Sequence, residues 1–219
     1  MFKTDLHTHS EHSYDGGITL KQYQRTLEDG VLDYIAITDH NRIDFAQKAR
    51  EALGDRIIVG EEIMTTEGEI IGLFLTNEVR PHQTPADTIS AIKQQNGIVY
   101  VPHPFETVRK GLHPETIEKH TAEIDLIEVC NGRAFLQNRG EQALVWSRIN
   151  NVPGAASSDA HGHKGLGKTY SDLAERPGKN NVVELIKTGQ LITNRPSMRA
   201  LLYPKLNRAK KKIKKGDRG

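Results

Sequence analysis

Short apolar segments alternate with helical segments along this chain, and the alternation limits the folds that the chain can adopt. Tyr34–Thr38 is a continuous apolar run, which is typical of a strand buried on both faces. Thr84 and Pro85 are typical of the first residues of a helix. Because this pattern repeats about seven times, it predicts a parallel sheet covered by helices.

The predicted elements extend over most of the chain. The strands are predicted at Met1–Thr4, Tyr34–Thr38, Arg56–Val59, Glu69–Leu75, Ile98–Val101, Ile124–Val129, Gly154–Ser158 and Leu191–Thr193. The helices are predicted from Leu20 to a closing Gly30, at Asp44–Leu53, from Pro85 to Asn96, and at Pro114–His120, Phe135–Asn150 and Val182–Thr188.

Polar clusters follow five of the predicted strands. They are Asp5-Leu6-His7-Thr8-His9, Ile37-Thr38-Asp39-His40, Gly60-Glu61-Glu62, Pro102-His103-Pro104 and Ser158-Asp159-Ala160-His161. Side chains two residues apart on a strand share a face, so His7 and His9 are expected to hold one metal ion between two imidazoles. When βα units close into a barrel, the site lies at the carboxyl ends of the strands. The pattern therefore predicts a metal site at those ends.

Length and composition favour one soluble domain. The chain has 219 residues, enough for one barrel with a sizeable core. It contains no apolar run near the roughly 20 residues that span a bilayer, and its first residues do not resemble a signal peptide. A single cysteine, Cys130, excludes an internal disulfide framework. We therefore expect a cytoplasmic protein without membrane contacts.

Charge divides the chain into two parts. Residues 205–219 contain eight basic residues and one acidic residue, whereas the remainder is net acidic. Residues 1–204 are expected to form the domain, and residues 205–219 a basic tail that is disordered or a frayed helix. Such a tail can attract nucleic acid weakly through its charge. Its removal is expected to leave hydrolysis of a small substrate unchanged.

The five clusters together resemble the successive motifs of the PHP (polymerase and histidinol phosphatase) family over roughly residues 1–165. This resemblance implies a distorted seven-stranded (β/α)7 barrel, similar to a TIM barrel, with up to three divalent metal ions at the strand ends. Most members of that family are phosphoesterases. The chain is thus expected to use two or three Zn, Mn or Fe ions, with Mg also compatible, to hydrolyse a phosphate ester with activated water.

The resemblance also implies which residues bind metal and support catalysis. One ion is expected at His7, His9, Glu62 and Asp159; a second at Glu62 and His103; and a third at Asp15, His40 and His161. Glu69 occupies a place where the family often has histidine, and a carboxylate there favours Mn²⁺ or Mg²⁺ over Zn²⁺.

Other polar residues near the clusters have structural explanations. Asp39 is expected to orient His40 or its neighbours, and Asp5 to accept a hydrogen bond from a ligand imidazole. Glu61 differs in parity from Glu62 and should face away from the site. His120 is expected at the solvated surface, and Cys130 in packing.

The substrate is less constrained than the chemistry. Arg133 is the first candidate for binding the phosphate, followed by Arg109, Lys110 and Lys168. A nucleotide-type substrate, a 3′,5′-bisphosphate or an oligonucleotide 5′ end, is the leading expectation, and histidinol phosphate is the alternative. A third possibility is a binding module in which metal only stabilises the fold and the basic tail binds a partner.

Overall fold

The computed structural model describes residues 1–134, 137–194 and 196–216, with side chains through residue 213 of the last range. The strands in these ranges are β1 (Phe2–Asp5), β2 (Tyr34–Ile37), β3 (Ile57–Thr65), β4 (Gly68–Leu73), β5 (Ile98–Val101), β6 (Leu126–Asn131), β7 (Gly154–Ser157), β8 (Thr169–Leu173) and β9 (Gln190–Thr193). The helices are α1 (Leu20–Glu28), α2 (Asp44–Leu53), α3 (Pro85–Gln94), α4 (Pro114–Lys119), α5 (Gly140–Asn150), α6 (Val182–Thr188) and α7 (Met198–Gly216).

The nine strands form one sheet that curves into a nearly closed barrel. Their order is β7-β6-β5-β4-β3-β2-β1-β8-β9. The pairs β1–β2, β2–β3, β5–β6 and β6–β7 are parallel, whereas β4 and β8 run antiparallel to their neighbours. The segments that follow β1 and β7 contact each other. Thr8 forms a parallel bridge with Ala160, and the His9 N–H donates to the Ala160 carbonyl (2.9 Å).

The α/β architecture agrees with the sequence prediction, but the strand count of seven does not. Two of the nine strands, β8 and β9, are connected through α6 and form an antiparallel pair beside β1. Strand β8 was not predicted because its residues alternate between buried and half-buried instead of forming an apolar run. Strand β3 also extends past the predicted Val59 to Thr65, so Glu62 lies within a strand and not after one.

Local sequence explains where the helices begin. Helix α1 starts after a capping box in which Thr19 and Gln22 each bond the other's backbone N–H. Helix α3 starts with Pro85 after the predicted Thr84 cap. Helix α5 begins at Gly140, and residues 137–139 before it are not helical; Phe135, the predicted start, lies outside the described residues.

The barrel strands are buried on both faces, so one face can carry polar side chains inward. The inner face carries a cluster of apolar side chains that includes Ile58, Ile71 and Leu126. By the two-residue period of a strand, Glu62 shares a face with Ile58, Glu69 with Ile71, and Glu128 with Leu126. The inner face therefore supplies apolar filling and carboxylates from the same strands.

The C-terminal basic segment, predicted to be disordered or a frayed helix, is helical where the structure describes it. Residues 205–216 belong to α7, a helix of 19 residues that begins at Met198 and contains Pro204. Its N-terminal half carries Ala200 and Pro204, which are buried against the barrel, and these apolar residues anchor the helix. The composition of the last 15 residues did not indicate that this helix packs on the barrel, because Ala200 and Pro204 precede those residues. Among the described helices none is long and apolar enough to cross a membrane.

Candidate metal centre

The nine residues predicted to bind metal converge at one end of the barrel. They are His7 and His9 after β1, Asp15 in the loop before α1, His40 after β2, Glu62 in β3, Glu69 in β4, His103 after β5, and Asp159 and His161 after β7. All are buried except His40, whose side chain is 9% exposed. We call these nine residues the metal-centre cluster.

The first group joins both histidines of the N-terminal motif. His7 Nε2 lies 3.1 Å from His9 Nε2, and Asp159 Oδ1 lies 3.7 and 3.6 Å from these two nitrogens. Glu62 Oε2 approaches the same nitrogens at 3.5 and 3.2 Å. This arrangement places together the four residues that the resemblance assigned to the first ion.

A second group forms around the other oxygen of Glu62. His103 Nε2 lies 3.0 Å from Glu62 Oε1 and 3.8 Å from Glu69 Oε2. Glu69 Oε1 also lies 3.4 Å from His40 Nδ1. Glu69 therefore faces the cluster, as the family resemblance implied, and can supply a carboxylate to this group.

A third group surrounds Asp15. Its Oδ1 lies 3.3 Å from His161 Nε2 and 3.6 Å from His40 Nε2, and His9 offers a further nitrogen within reach of the same point. Asp15, His40 and His161 are the three residues expected for the third ion, and His9 adds a third imidazole to them.

The donor distances fit divalent cations. Ligands about 2.0–2.2 Å from a common ion are separated by roughly 3.0–3.6 Å in tetrahedral or octahedral geometry. The separations given above run from 3.0 to 3.8 Å. A mixed set of imidazole nitrogens and carboxylate oxygens suits Zn²⁺, Fe²⁺ or Mn²⁺.

The pKa values of His7 and Glu69 also indicate a site for divalent ions. Burial lowers the pKa of His7, but the charges of Asp159, Glu62 and Glu128 outweigh burial and hold that pKa well above its ordinary value. Burial together with the neighbouring Glu62 carboxylate raises the pKa of Glu69. Without metal the cluster thus retains protons, which a divalent ion would displace.

Two members of the cluster have backbone conformations outside the common regions. His103 has φ of 28° and Asp159 has φ of 50°, both in the left-handed region directly after a strand. Such conformations cost on the order of 1–3 kcal/mol each and are concentrated at functional sites. The barrel holds these two side chains toward the cluster at that cost.

Glu128 supports the cluster and was missed by the sequence analysis. This buried carboxylate on β6 accepts hydrogen bonds from His7 Nδ1 (3.2 Å), the His103 backbone N–H (2.7 Å), Tyr100 Oη (3.2 Å) and Asn131 Nδ2 (2.8 Å). It orients the His7 ring with Nε2 toward the cluster. The available signal was a lone glutamate among the apolar residues of a predicted buried strand.

The other predicted supporting residues behave as follows. Asp5 was expected to accept from an imidazole, but its Oδ1 accepts from the backbone N–H of His7 (3.3 Å) and of Ser158 (3.0 Å). Asp39 binds the Ser10 backbone N–H (2.6 Å) and hydroxyl, so it fixes the loop after β1. Glu61 faces away as predicted and accepts from the Val79 N–H (2.8 Å).

Two further histidine and cysteine predictions have clear outcomes. His120 was expected at the solvated surface, but it is buried, because it follows the last turn of α4 and its backbone N–H bonds back to that helix. Cys130 is half-buried and packs against the core beneath the helices, as expected.

The basic residues near the cluster have different surroundings. Arg133 Nη1 lies 3.2 Å from Asp159 Oδ1, and its Nε is buried without a hydrogen-bond partner among the described residues. Arg109 donates to both oxygens of Glu106 (2.8 and 2.7 Å) and to Asp159 (3.0 Å). Lys110 is exposed and lines the cavity described below.

Lys168 lies outside that cavity. It directly precedes β8, where Thr169 and Ser171 are buried and Tyr170 and Asp172 are half-buried. By the two-residue period, Lys168 shares the outer face with Tyr170. The Lys168 side chain is therefore expected to point away from the metal-centre cluster.

A cavity of about 450 Å³ opens above the metal-centre cluster. The β5–α4 loop contributes Val108 and Lys110 to its wall. Helix α7 contributes Leu202, Lys205 and Arg208. Lys205 and Arg208 of the C-terminal segment thus lie at the cavity, and the expectation that removal of the segment leaves small-substrate hydrolysis unchanged stays a prediction. The segment forms one side of the cavity because α7 docks on the barrel.

Comparisons with known proteins identify the family. A family model described as the PHP domain matches residues 5–186. The uncharacterized protein MJ1587 of Methanocaldococcus jannaschii is 34% identical over 142 residues, which cover 59% of this chain and 81% of that protein.

Two solved structures share the fold. One is a two-domain protein from Bacteroides vulgatus containing a predicted PHP-like metal-dependent phosphoesterase, with a TM-score of 0.68 at 21% identity over 94% of this chain and 69% of that chain. The other is PsfC from Pseudomonas syringae PB-5123, with a TM-score of 0.62 at 12% identity over 97% and 98% of the two chains. Because the PHP family model matches residues 5–186 and so includes every residue of the metal-centre cluster, the chain belongs to the PHP domain family.

Proposed function

We propose that the protein is a phosphoesterase that hydrolyses a nucleotide-type phosphate ester at the metal-centre cluster. The observation that carries this proposal is the convergence of five imidazoles and four carboxylates, spaced for divalent ions, at the floor of an open cavity with a basic wall. Membership of a family that includes metal-dependent phosphoesterases supports the reaction class.

Different residues of the chain would bind the metal ions and the phosphate. The three groups described above would hold the ions, with Glu62, which lies 3.2 Å from His9 and 3.0 Å from His103, shared between the first and second groups. Divalent ions bound there supply activated water and neutralise charge on the phosphoryl group. Arg133 would donate to a phosphoryl oxygen, since the residue lines the cavity and its side chain is 21% exposed.

Arg109 is better suited to hold the site than to bind substrate. Two of its nitrogens are committed to Glu106, and its Nη1 donates to Asp159. Its bonds to both carboxylates tie the β5–α4 loop to the segment after β7. We assign it the role of positioning Asp159.

The cavity wall favours a substrate with a second negative charge. Lys110 and Lys205 are exposed and form no ion pair in the described part of the chain, and Arg208 has only a contact of 3.8 Å with Asp15. A 3′,5′-bisphosphate or an oligonucleotide 5′ end would place a further phosphate near these cations. Histidinol phosphate carries an ammonium group instead, which the same cations would repel.

The remaining cavity surface suits a nucleoside. Tyr14 is 53% exposed, and its ring stacks on the His40 ring with centroids 4.7 Å apart, which leaves aromatic surface at the cavity. Val108, Met198 and Leu202 are exposed apolar side chains of the same wall. Aromatic and apolar surface beside a few charges is typical of small-molecule sites, and 450 Å³ lies within their usual size.

A substrate panel tests this proposal. Protein reconstituted with Mn²⁺ should hydrolyse a nucleoside 3′,5′-bisphosphate with a higher kcat/KM than an aryl phosphate, and should prefer both to histidinol phosphate. Arg208→Met should raise KM for the bisphosphate about tenfold, equivalent to about 1.4 kcal/mol. The same change should affect the aryl phosphate little.

Lys210→Met is the matched control for Arg208→Met, because Lys210 is an exposed cation of α7 that does not line the cavity. Equal effects of the two variants would attribute the change in KM to net charge and contradict the second-anion site. A preference for histidinol phosphate would support the alternative substrate. No hydrolysis of any phosphate ester would favour a non-catalytic binding module.

Glu128→Gln is expected to lower kcat about tenfold to 100-fold, because it removes the charge that fixes the His7 ring. The control is Glu61→Gln on β3. Glu61 faces away from the cluster, and burial raises its pKa to about 8, so glutamine resembles its neutral form. Kinetics of both variants at neutral pH check the prediction, and equal activity of Glu128→Gln and wild type would remove Glu128 from the site.

The basic surface of α7 also supports a weak contact with nucleic acid. Lys210 and Lys212 are exposed, and no ion pair is formed by either one in the described residues. Their attraction for phosphate chains would depend strongly on salt and little on sequence.

A further inference from the structure

Helix α7 presents two different faces, and one of them binds the loop that carries Asp15. Tyr203, Asn207 and Lys211 recur at four-residue spacing and therefore lie on one face. That face contacts the barrel, whereas Lys205 and Arg208 line the cavity. Residues 198–216 lie beyond the residues 5–186 matched by the PHP family model.

Asn207 joins two members of the third group of the cluster. Its Nδ2 donates to the backbone carbonyl of Asp15 (2.9 Å) and to the backbone carbonyl of His161 (2.9 Å). A single side-chain amide thus fixes the separation of two chain segments whose side chains meet 3.3 Å apart.

Lys211 holds the same loop one helical turn further along. Its Nζ donates to the carbonyls of Glu11 (2.8 Å) and Gly16 (2.9 Å) and also to the carbonyl of Ser13. All three hydrogens of the ammonium are used, and each acceptor lies in the segment around Asp15.

The glycines opposite this face show how closely the helix approaches. A Cβ added to Gly17 would lie 2.8 Å from Asn207 Nδ2, and one added to Gly162 would lie 2.4 Å from the Tyr203 ring. Neither position has room for a side chain. Glycine at both positions therefore permits the docking of α7.

The start of the Asp15 loop is held by Asp39, which binds Ser10, and by the Glu11 N–H, which donates to the Ile18 carbonyl (2.9 Å), but the part around Asp15 has little support outside the loop other than α7. Between β1 and α1 the chain forms turns and isolated bridges only. Asp15 itself accepts a hydrogen bond from Ser13 Oγ (3.1 Å), and Ser13 lies in the same loop. The position of the Asp15 carboxylate relative to His161 consequently depends on the bonds from α7.

We propose that Asn207 and Lys211 are positioning residues that hold the Asp15 loop against His161 and thereby complete the third metal group. This inference rests on the proposed metal centre. It assigns the C-terminal helix a part in metal binding, in addition to its part in the cavity wall. Bonds from supporting residues of this kind contribute about tenfold to 100-fold to metal affinity.

Calorimetric titration of metal-free protein with Mn²⁺ tests the proposal without any activity measurement. In Asn207→Ala and in Lys211→Met, one binding step should weaken at least tenfold, and the remaining steps should match wild type. Lys210→Met and Lys212→Met are the matched controls, because each removes one charge of α7 that forms no hydrogen bond in the described residues. Both controls should bind Mn²⁺ as wild type does.

Thermal unfolding of each metal-free variant verifies that it is folded, and Lys211→Gln provides a second substitution if Lys211→Met unfolds. Unchanged Mn²⁺ binding in folded Asn207 and Lys211 variants would overturn the proposal. Equal weakening of every step would also overturn it, since it would show a general effect of helix docking. Wild-type protein that binds no Mn²⁺ would contradict the proposed metal centre itself, whereas loss confined to one step supports the positioning role even if no substrate is hydrolysed.

Discussion

Glu62→Gln should lower kcat/KM about a thousandfold or more, because Glu62 is shared by more groups of the cluster than any other carboxylate. Its two oxygens lie 3.0–3.5 Å from nitrogens of four histidines, namely His7, His9, His40 and His103. Glutamine preserves the shape of the side chain but removes the charge that two divalent ions would share. Loss of several kcal/mol of metal-assisted stabilisation corresponds to about three orders of magnitude in rate.

Steady-state kinetics together with elemental analysis of the purified variant measure this effect. His113→Gln is the control, since His113 is exposed before α4 and lies outside the metal-centre cluster. The metal content of Glu62→Gln should fall, while that of His113→Gln should equal wild type. A Glu62→Gln enzyme with near wild-type kcat/KM and full metal content would show that the catalytic site is elsewhere.

Chelation of the bound ions should lower Tm by about 10 °C. Glu62, Glu69, Asp159 and Asp15 are buried within one cluster, and removal of the ions leaves their repulsion uncompensated except by protons. One ion present at about 1,000 times its Kd contributes about 4 kcal/mol to the free energy of unfolding. For a chain of this size each kcal/mol corresponds to about 2–4 °C in Tm.

Calorimetric unfolding with and without a chelator measures this prediction. Returning Mn²⁺ to the treated protein should restore Tm, which distinguishes metal loss from damage. Wild-type protein should lose more Tm on chelation than Glu62→Gln does, because the variant has less metal to lose. An identical Tm before and after complete chelation would contradict a structural contribution of the ions.

The convergence of the cluster was predictable because four of the five motifs follow a recognisable strand and the fifth, with Glu62, lies within one. The apolar run before His40 and the strand before His103 place these two residues at the same end of the barrel. Two-residue periodicity also separated Glu62 from Glu61, and the structure places Glu61 on the opposite face. Local pattern and site geometry agree where a strand enters the site directly.

The remaining features depend on contacts that local pattern does not encode. Glu128 lies in a predicted strand, but its role arises from four donors, of which three are 25 or more residues away in the chain. The charge density of residues 205–219 indicated a solvated tail, whereas Asn207 and Lys211 bind backbone carbonyls nearly 200 residues earlier. Every residue has a backbone carbonyl, so the sequence does not show which carbonyls accept these bonds. The docking of α7 therefore could not be predicted from composition.

The most direct test of the central claim is phosphate release from a nucleoside 3′,5′-bisphosphate during stepwise return of Mn²⁺ to metal-free protein. The account predicts no turnover before metal is added, a rise in kcat with bound ion, and saturation at two or three ions per chain. Full turnover by the metal-free protein would contradict the account, as would saturation with metal and no hydrolysis of any phosphate ester.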